Sequence, residues 1–129
     1  MYSFKILEAF IAFAEKKKQK HYPVHLKFNT GLNRLGFAKG DLEGILNAFA
    51  NSTAVKVCSI FSHLAASEDL EQQQFSLAQL EAFAEISQYI KQALNYSPFL
   101  HTLNTSGILN YPQAHYDMVR CGIGLYGYG

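Results

Sequence analysis

Apolar residues near the start of the chain recur at steps of three and four: Phe4, Leu7, Phe10, Ile11 and Ala14. That spacing lines one face of an α-helix. The helix runs out into Lys16, Lys17 and Lys18, cations suited to solvent and to the negative end of a helix dipole. After Pro23 the period changes. Val24-His25-Leu26-Lys27-Phe28 reads as a short strand, broken by Asn29-Thr30-Gly31. Helical spacing returns at Leu42, Ile45, Leu46 and Phe49, with Asp41 placed to cap. Val55 to Phe61 is a second apolar, β-rich run. The best-signalled helix is Leu77 to Leu94, with Ser76 and Gln79 as a capping box and Phe75 and Leu80 at staple spacing. Beyond Pro98, Phe99 to Leu103 reads as a third strand and Met118 to Tyr126 as a fourth, joined by a short helical or looped link.

Strands separated by helices imply right-handed crossovers and a parallel sheet. Such strands are covered on both faces, which accounts for their continuous apolar character. Four such units are about half of an eight-stranded barrel, which typically needs ~250 residues. The expected fold class is therefore α/β, a partial (β/α)8 TIM barrel of about four consecutive βα units with parallel strands. A small open α/β sheet, complete as it stands, is the alternative. Open strand edges attract partners, so self-association or marginal stability is expected.

Composition narrows the picture. A chain of 129 residues suits one domain, and 49% hydrophobic with 16% charged residues marks it as globular. A formal charge of +1 provides no long-range field for nucleic acid or an anionic membrane, and neither is an expected partner. Cys58 and Cys121 lie far apart within apolar runs, the pattern of buried free thiols in a reducing compartment. No apolar run approaches the ~18 residues of a membrane span. The N-terminus lacks the basic region and cleavage site of a signal peptide. The expected location is cytoplasmic.

Candidate chemistry gathers where strands end: Lys27, Asn29, Thr30 and Arg34; Ser62 and His63; Asn104, Thr105 and Ser106; Arg120 and Gly122. In parallel α/β folds the carboxyl ends of the strands carry the ligand site. Gly122 to Gly127 fits G-x-G-x-x-G literally, yet no helix or ribose-binding acid follows it, so a dinucleotide fingerprint is rejected. What remains is that glycines let backbone N–H groups approach a phosphate closely. Five histidines form no H-x-x-x-H pair on a helix, and there is no C-x-x-C, so no metal site is expected. A G-x-S-x-G nucleophile elbow is also absent.

Three blocks, in order, resemble the alanine racemase family. Val24 to Phe37 is similar to K-x-D-T-G-M-x-R-L-G. Ser62 to Asp69 is similar to T-H-x-A-x-A-D-E. His101 to Gly107, followed by Asp117 to Gly127, is similar to H-x-A-N-S-A-G and D-x-V-R-x-G-I-x-L-Y-G. The resemblance implies that residues 1–129 are a fragment of the family's N-terminal barrel domain, that the cofactor is pyridoxal 5'-phosphate, and that the reaction is interconversion of L- and D-alanine for cell-wall precursors. It also implies an amino-acid substrate and a homodimer for the full-length enzyme. A racemase for another amino acid, such as serine or lysine, or a non-catalytic half-barrel binding phosphorylated ligands, are the alternatives.

Carried over by position, the resemblance makes Lys27 the lysine carbamylated in many members and Arg34 the arginine it orients. Arg34 would contact both the cofactor's phenolic oxygen and the substrate carboxylate. Arg120 would face the pyridine nitrogen, donating a hydrogen bond without giving up a proton, which favours reprotonation at Cα over transamination. His63 would link Arg120 to a catalytic tyrosine. Asn104, Thr105, Gly122 and Ile123 would hold the phosphate end of the cofactor. Departures from the pattern are Asn29 for aspartate, Leu32 for methionine, Thr105 for serine and Cys121 for proline. Asn29 removes a charge beside Lys27 and Arg34. The family's Schiff-base lysine block and its tyrosine base are not among these residues. The expectation is a piece of a longer reading frame, inactive alone, with Lys27, Arg34, His63 and Arg120 in supporting roles.

Overall fold

Three strands lie side by side in chain order, all parallel: β1 (Tyr22–Lys27), β2 (Val55–Phe61) and β3 (Phe99–His101). The computed structural model describes residues 1–129. Helix α1 (Phe4–Lys16) precedes β1, α2 (Leu42–Ala50) links β1 to β2, and α3 (Gln73–Leu94) links β2 to β3. A short helix, α4 (Thr105–Asn110), follows β3. No helix is long and apolar enough to cross a membrane.

Register decides which side chains face the helices. Leu26, Ile60 and Leu100 are aligned across the sheet and buried against Leu7, Ile45, Phe83, Ile86 and Ile90 of the helices. Burying each such side chain contributes about 1.5–3 kcal/mol. Because side chains alternate along a strand, the next row, Lys27, Phe61 and His101, faces the opposite side. The sheet thus separates an apolar core from a polar face.

Long helix α3 begins at Gln73, earlier than the Ser76–Gln79 capping box implies. Both residues are buried inside the helix and spend their polar groups on the loop after β2. The Ser76 hydroxyl donates to Ala66 O at 3.4 Å, and Gln79 Oε1 accepts from Ala65 N at 3.0 Å. Tertiary demand has overridden a local capping signal. Phe75 correspondingly lies within the helix and partly exposed, not as an N-terminal staple. Asp41 makes no side-chain cap on α2; its carboxylate accepts from Ala38 N at 2.8 Å, closing a 3-10 turn just before the helix.

The expected fourth strand, Met118 to Tyr126, is not one. Asp117 N donates to Leu100 O, but the Asp117 carboxylate accepts from Leu100 N at 2.8 Å. A side chain has taken the donor that a strand carbonyl needs, so no ladder grows. Arg120 N still donates to Leu103 O, which lays the segment along the end of β3. Ile123–Tyr126 then forms a 3-10 turn. Neither cysteine is the buried thiol expected: Cys58 is half-buried, and Cys121 is exposed because it lies on this docked segment.

Candidate functional site

The carboxyl ends of the strands carry the chemistry. β1 ends at Lys27, and the loop beyond it presents Arg34. Asn29 builds that loop: its Oδ1 accepts from Gly31 N and Asn33 N at 3.1 and 3.0 Å, while its Nδ2 donates to Asn33 Oδ1. A carboxylate could brace the same two amides but has no donor for Asn33. The loop closes where Asn29 N donates to Phe37 O and Phe37 N to Lys27 O.

A directed chain of hydrogen bonds ties this loop to the end of β2. The Ser62 hydroxyl donates to Phe28 O at 2.9 Å, so the Thr30 hydroxyl is the donor in its 2.7 Å contact with Ser62 Oγ. Gln79 Nε2 in turn donates to Thr30 Oγ1 and to His63 O. Gln79 therefore holds two site loops from the middle of a helix.

Arg120 is the hub. Its Nη1 donates to His101 Nδ1 at 2.5 Å; its Nη2 donates to Ser62 O at 2.8 Å, with Thr102 O and His63 Nδ1 each at 3.3 Å. The guanidinium carbon lies 5.5 Å from the Phe61 ring centre, and Phe61 stacks on His101 at 4.8 Å. Arg120 was singled out by the resemblance, whereas His101 was visible only as a member of a motif with no role of its own. Neither His101 nor Gln79 has a local sequence signal that marks it, because the partners lie in other elements.

Arg34 and Arg120 lie near enough to Lys27 and His63 to disfavour the charged forms of both. Burial first, then Arg34 and Arg120, hold the Lys27 ammonium below its ordinary value. Burial first, then Arg120, Arg34 and Lys27, push His63 down. No carboxylate neutralises the group: the chain's one ion pair, Lys39–Glu85, joins two exposed side chains elsewhere. Uncompensated cations that converge at strand ends are an anion-binding arrangement.

Beside them, Thr105 Oγ1 accepts from Gly122 N and Gly124 N, both at 3.0 Å. Ile123 sits between the two glycines. A Cβ on Gly124 would lie 2.7 Å from Thr105 Cγ2, so a larger residue there would push the threonine side chain aside. Gly124 was not among the expected phosphate ligands, although its amide converges with that of Gly122. Asn104 lies next to this cradle, but its Oδ1 is occupied, accepting from Gly107 N and the Ser67 hydroxyl. Only its amide nitrogen is available to a ligand.

His101 gives the fold a pH dependence. Burial, then Arg120 and His25, push it down to about 4 from its ordinary 6.5. As pH falls, the unfolded chain takes up this proton first. Stability is therefore complete above about pH 6.5 and drains as pH falls towards 4, by an amount on the order of 3 kcal/mol. His63 adds a loss of the same sign. Urea unfolding at pH 7.5 and pH 4.5 measures it; equal midpoints would mean that His101 protonates freely in the folded protein.

Comparison with known proteins follows the same residues. The sequence profile of the alanine racemase N-terminal domain matches residues 1–129. The chain is 38% identical over 107 residues to the alanine racemase of Thermodesulfovibrio yellowstonii, a match covering 83% of this chain and 28% of that protein. The alanine racemase of Streptomyces coelicolor superposes with a TM-score of 0.89 at 30% identity, covering 100% of this chain and 34% of that one. The alanine racemase of Bartonella henselae, whose crystal structure holds covalently bound pyridoxal phosphate, superposes at 0.76 with 27% identity, covering 98% and 35%. Superpositions of this quality establish that the three parallel strands and their helices are part of a TIM barrel. The chain spans roughly a third of the length of these relatives.

Proposed function

The chain belongs to the alanine racemase N-terminal domain family, and on that premise we propose that its strand ends form the cofactor-holding part of an amino-acid racemase acting on alanine. The observation that carries this reading is the contact of Arg120 with His63 and His101 beside the Thr105–Gly122–Gly124 cradle, with Lys27 and Arg34 near enough to disfavour charge on His63 and no acidic group paired with any of them. Pyridoxal 5'-phosphate has an anionic phosphate, a phenolic oxygen and a ring nitrogen that accepts a hydrogen bond. This donor set fits those groups in kind.

In this reading the Thr105 hydroxyl and the Ile123 amide hold the phosphate, with the Asn104 side-chain nitrogen at its edge, while the Gly122 amide, expected to bind the phosphate itself, donates to Thr105 Oγ1 and so orients that hydroxyl. Arg34 holds the phenolic oxygen and the substrate carboxylate, for which a planar guanidinium is well matched. Arg120 donates to the ring nitrogen and, being donor-only, leaves it unprotonated. When bound, the cofactor supplies the electron sink that acidifies the α-hydrogen of an amino acid. Lys27 orients Arg34. Its lowered proton affinity enlarges the share of neutral amine, the form that combines with carbon dioxide to give a carbamate and a proton. That carbamate would return the negative charge that Asn29 lacks.

Moving the α-proton from one face to the other takes two bases, and the resemblance assigns neither to these 129 residues. We accordingly expect them to bind the cofactor but not to turn over L-alanine. A homodimer, a cytoplasmic location and supply of D-alanine to the cell wall are the corresponding proposals for the complete enzyme.

The test is a titration of the chain with pyridoxal 5'-phosphate, followed by absorbance, with D-alanine assayed in parallel. Saturable binding is expected, weakened about tenfold in Thr105→Val and largely retained in Thr105→Ser, because valine removes a hydroxyl donor to the phosphate worth roughly 1.5 kcal/mol. No binding by the wild-type chain overturns the site assignment, and D-alanine formed by the chain alone overturns the expected inactivity.

A further inference from the structure

Ser59 is an anomaly on the polar face of β2. It is 1% exposed in the middle of a parallel strand, yet it does not face the apolar core. Its hydroxyl lies between two imidazoles, at 3.1 Å from His101 Nε2 and in direct contact with His25 Nδ1. None of the motifs that carry the family resemblance includes it.

The direction of every hydrogen bond on this line follows from one end. A guanidinium donates and cannot accept. His101 Nδ1, facing Arg120 Nη1 at 2.5 Å, must therefore offer its lone pair. A neutral His101 then carries its proton on Nε2 and donates it to Ser59 Oγ. The Ser59 proton is left to be donated to His25 Nδ1, and His25 keeps its own proton on Nε2, at the exposed end of the line. The same logic applies on the other side of the hub, where His63 Nδ1 accepts from Arg120 Nη2 and the His63 proton sits on Nε2.

We propose that Ser59 is a positioning residue: by accepting from His101 Nε2 it holds His101 in the Nε2–H tautomer that Arg120 requires, and so fixes the guanidinium in the site. Without the hydroxyl, a buried Nε2–H loses its acceptor, and the imidazole loses the contact that sets its rotation. The Nδ1–H tautomer, which would point a proton at a proton of Arg120, then gains population. The consequence for cofactor affinity rests on the role given to Arg120 above; the tautomer itself does not.

Long-range proton–nitrogen correlation NMR on the uniformly nitrogen-15-labelled full chain at neutral pH reads the tautomer directly. His101 is expected to show a proton-bearing Nε2 and a bare Nδ1. In Ser59→Ala this signature is expected to give way to a tautomer mixture or an exchange-broadened ring, and to return in Ser59→Thr. Wild-type His101 found in the Nδ1–H form, or an unchanged His101 spectrum in Ser59→Ala, overturns the proposal; the wild-type measurement decides even where the alanine variant fails to fold. A second measurement, pyridoxal 5'-phosphate affinity, is expected to fall three- to tenfold in Ser59→Ala and recover in Ser59→Thr. If the wild-type chain shows the tautomer but binds no cofactor, the function proposed above fails and the role of Ser59 in fixing His101 stands.

Discussion

Arg120→Ala is expected to lower the unfolding free energy by about 3–5 kcal/mol, a shift of roughly 10–20 °C in Tm. The guanidinium is the shared partner of Ser62 O, Thr102 O, His101 Nδ1 and His63 Nδ1. Ser62, Thr102 and His101 are each less than 5% exposed, so water does not readily replace it. Removing one donor group thus leaves several buried acceptors unpaired at once, and the penalty for an orphaned buried acceptor exceeds the net value of the bond that was lost. Arg120→Lys separates charge from geometry. A lysine ammonium retains the charge but is a point donor that cannot span carbonyls and imidazoles on two strand ends. It is expected to recover less than half of the loss. Thermal unfolding of the three proteins checks this, and an alanine variant within about 1 kcal/mol of the parent would mean that water or a rearranged neighbour serves those acceptors. In the complete enzyme, Arg120→Glu is expected to raise transamination relative to racemisation, because a carboxylic acid, unlike arginine, can protonate the ring nitrogen it faces.

Gly36→Ala is the second large effect, for a backbone reason. Gly36 has φ +140°, a conformation closed to L side chains, and an added Cβ would sit 2.5 Å from Asn29 N and 2.7 Å from Phe28 C. Both obstacles are backbone, so neither can rotate away. The loop must open at the point where Phe37 N donates to Lys27 O and Asn29 N to Phe37 O. The expected cost is about 3 kcal/mol or more. Because Arg34 is two residues away on the same loop, loss of anion affinity at the site should accompany the loss of stability. Gly40→Ala is the matched control: that glycine has open space around its missing Cβ. A Gly36→Ala variant as stable as the Gly40→Ala one would contradict the clamped loop.

These residues also show where sequence stops informing. The order of helices and strands followed from periodicity, since the apolar stripe of Phe4, Leu7, Ile11 and Ala14 and the unbroken run Val55 to Phe61 report burial that is local to one element. The positions of Lys27 and His63 at the ends of β1 and β2, and of Arg34 on the loop beyond β1, were likewise legible, because a parallel sheet puts all its carboxyl ends on one side; Arg120 reaches that side on a segment that is not a strand. The fourth strand failed for a reason outside its own segment: whether Met118 to Tyr126 pairs depends on the Asp117 carboxylate reaching Leu100 N. Gln79 failed in the same way, an apparent capping residue drawn into loops 14 to 49 residues distant.

What the chain's order of residues determined by itself was its α/β character, the polar tips of its strands and its family, all carried by spacing within short segments. Which atoms meet at those tips was decided only in three dimensions: that Arg120 reaches four acceptors, that Thr105 closes on two glycine amides, that Ser59 stands between two imidazoles. The physical reason is that a hydrogen bond depends on distance and direction to within a few tenths of an ångström, and these partners lie 17 to 58 residues apart, where periodicity carries no information about either.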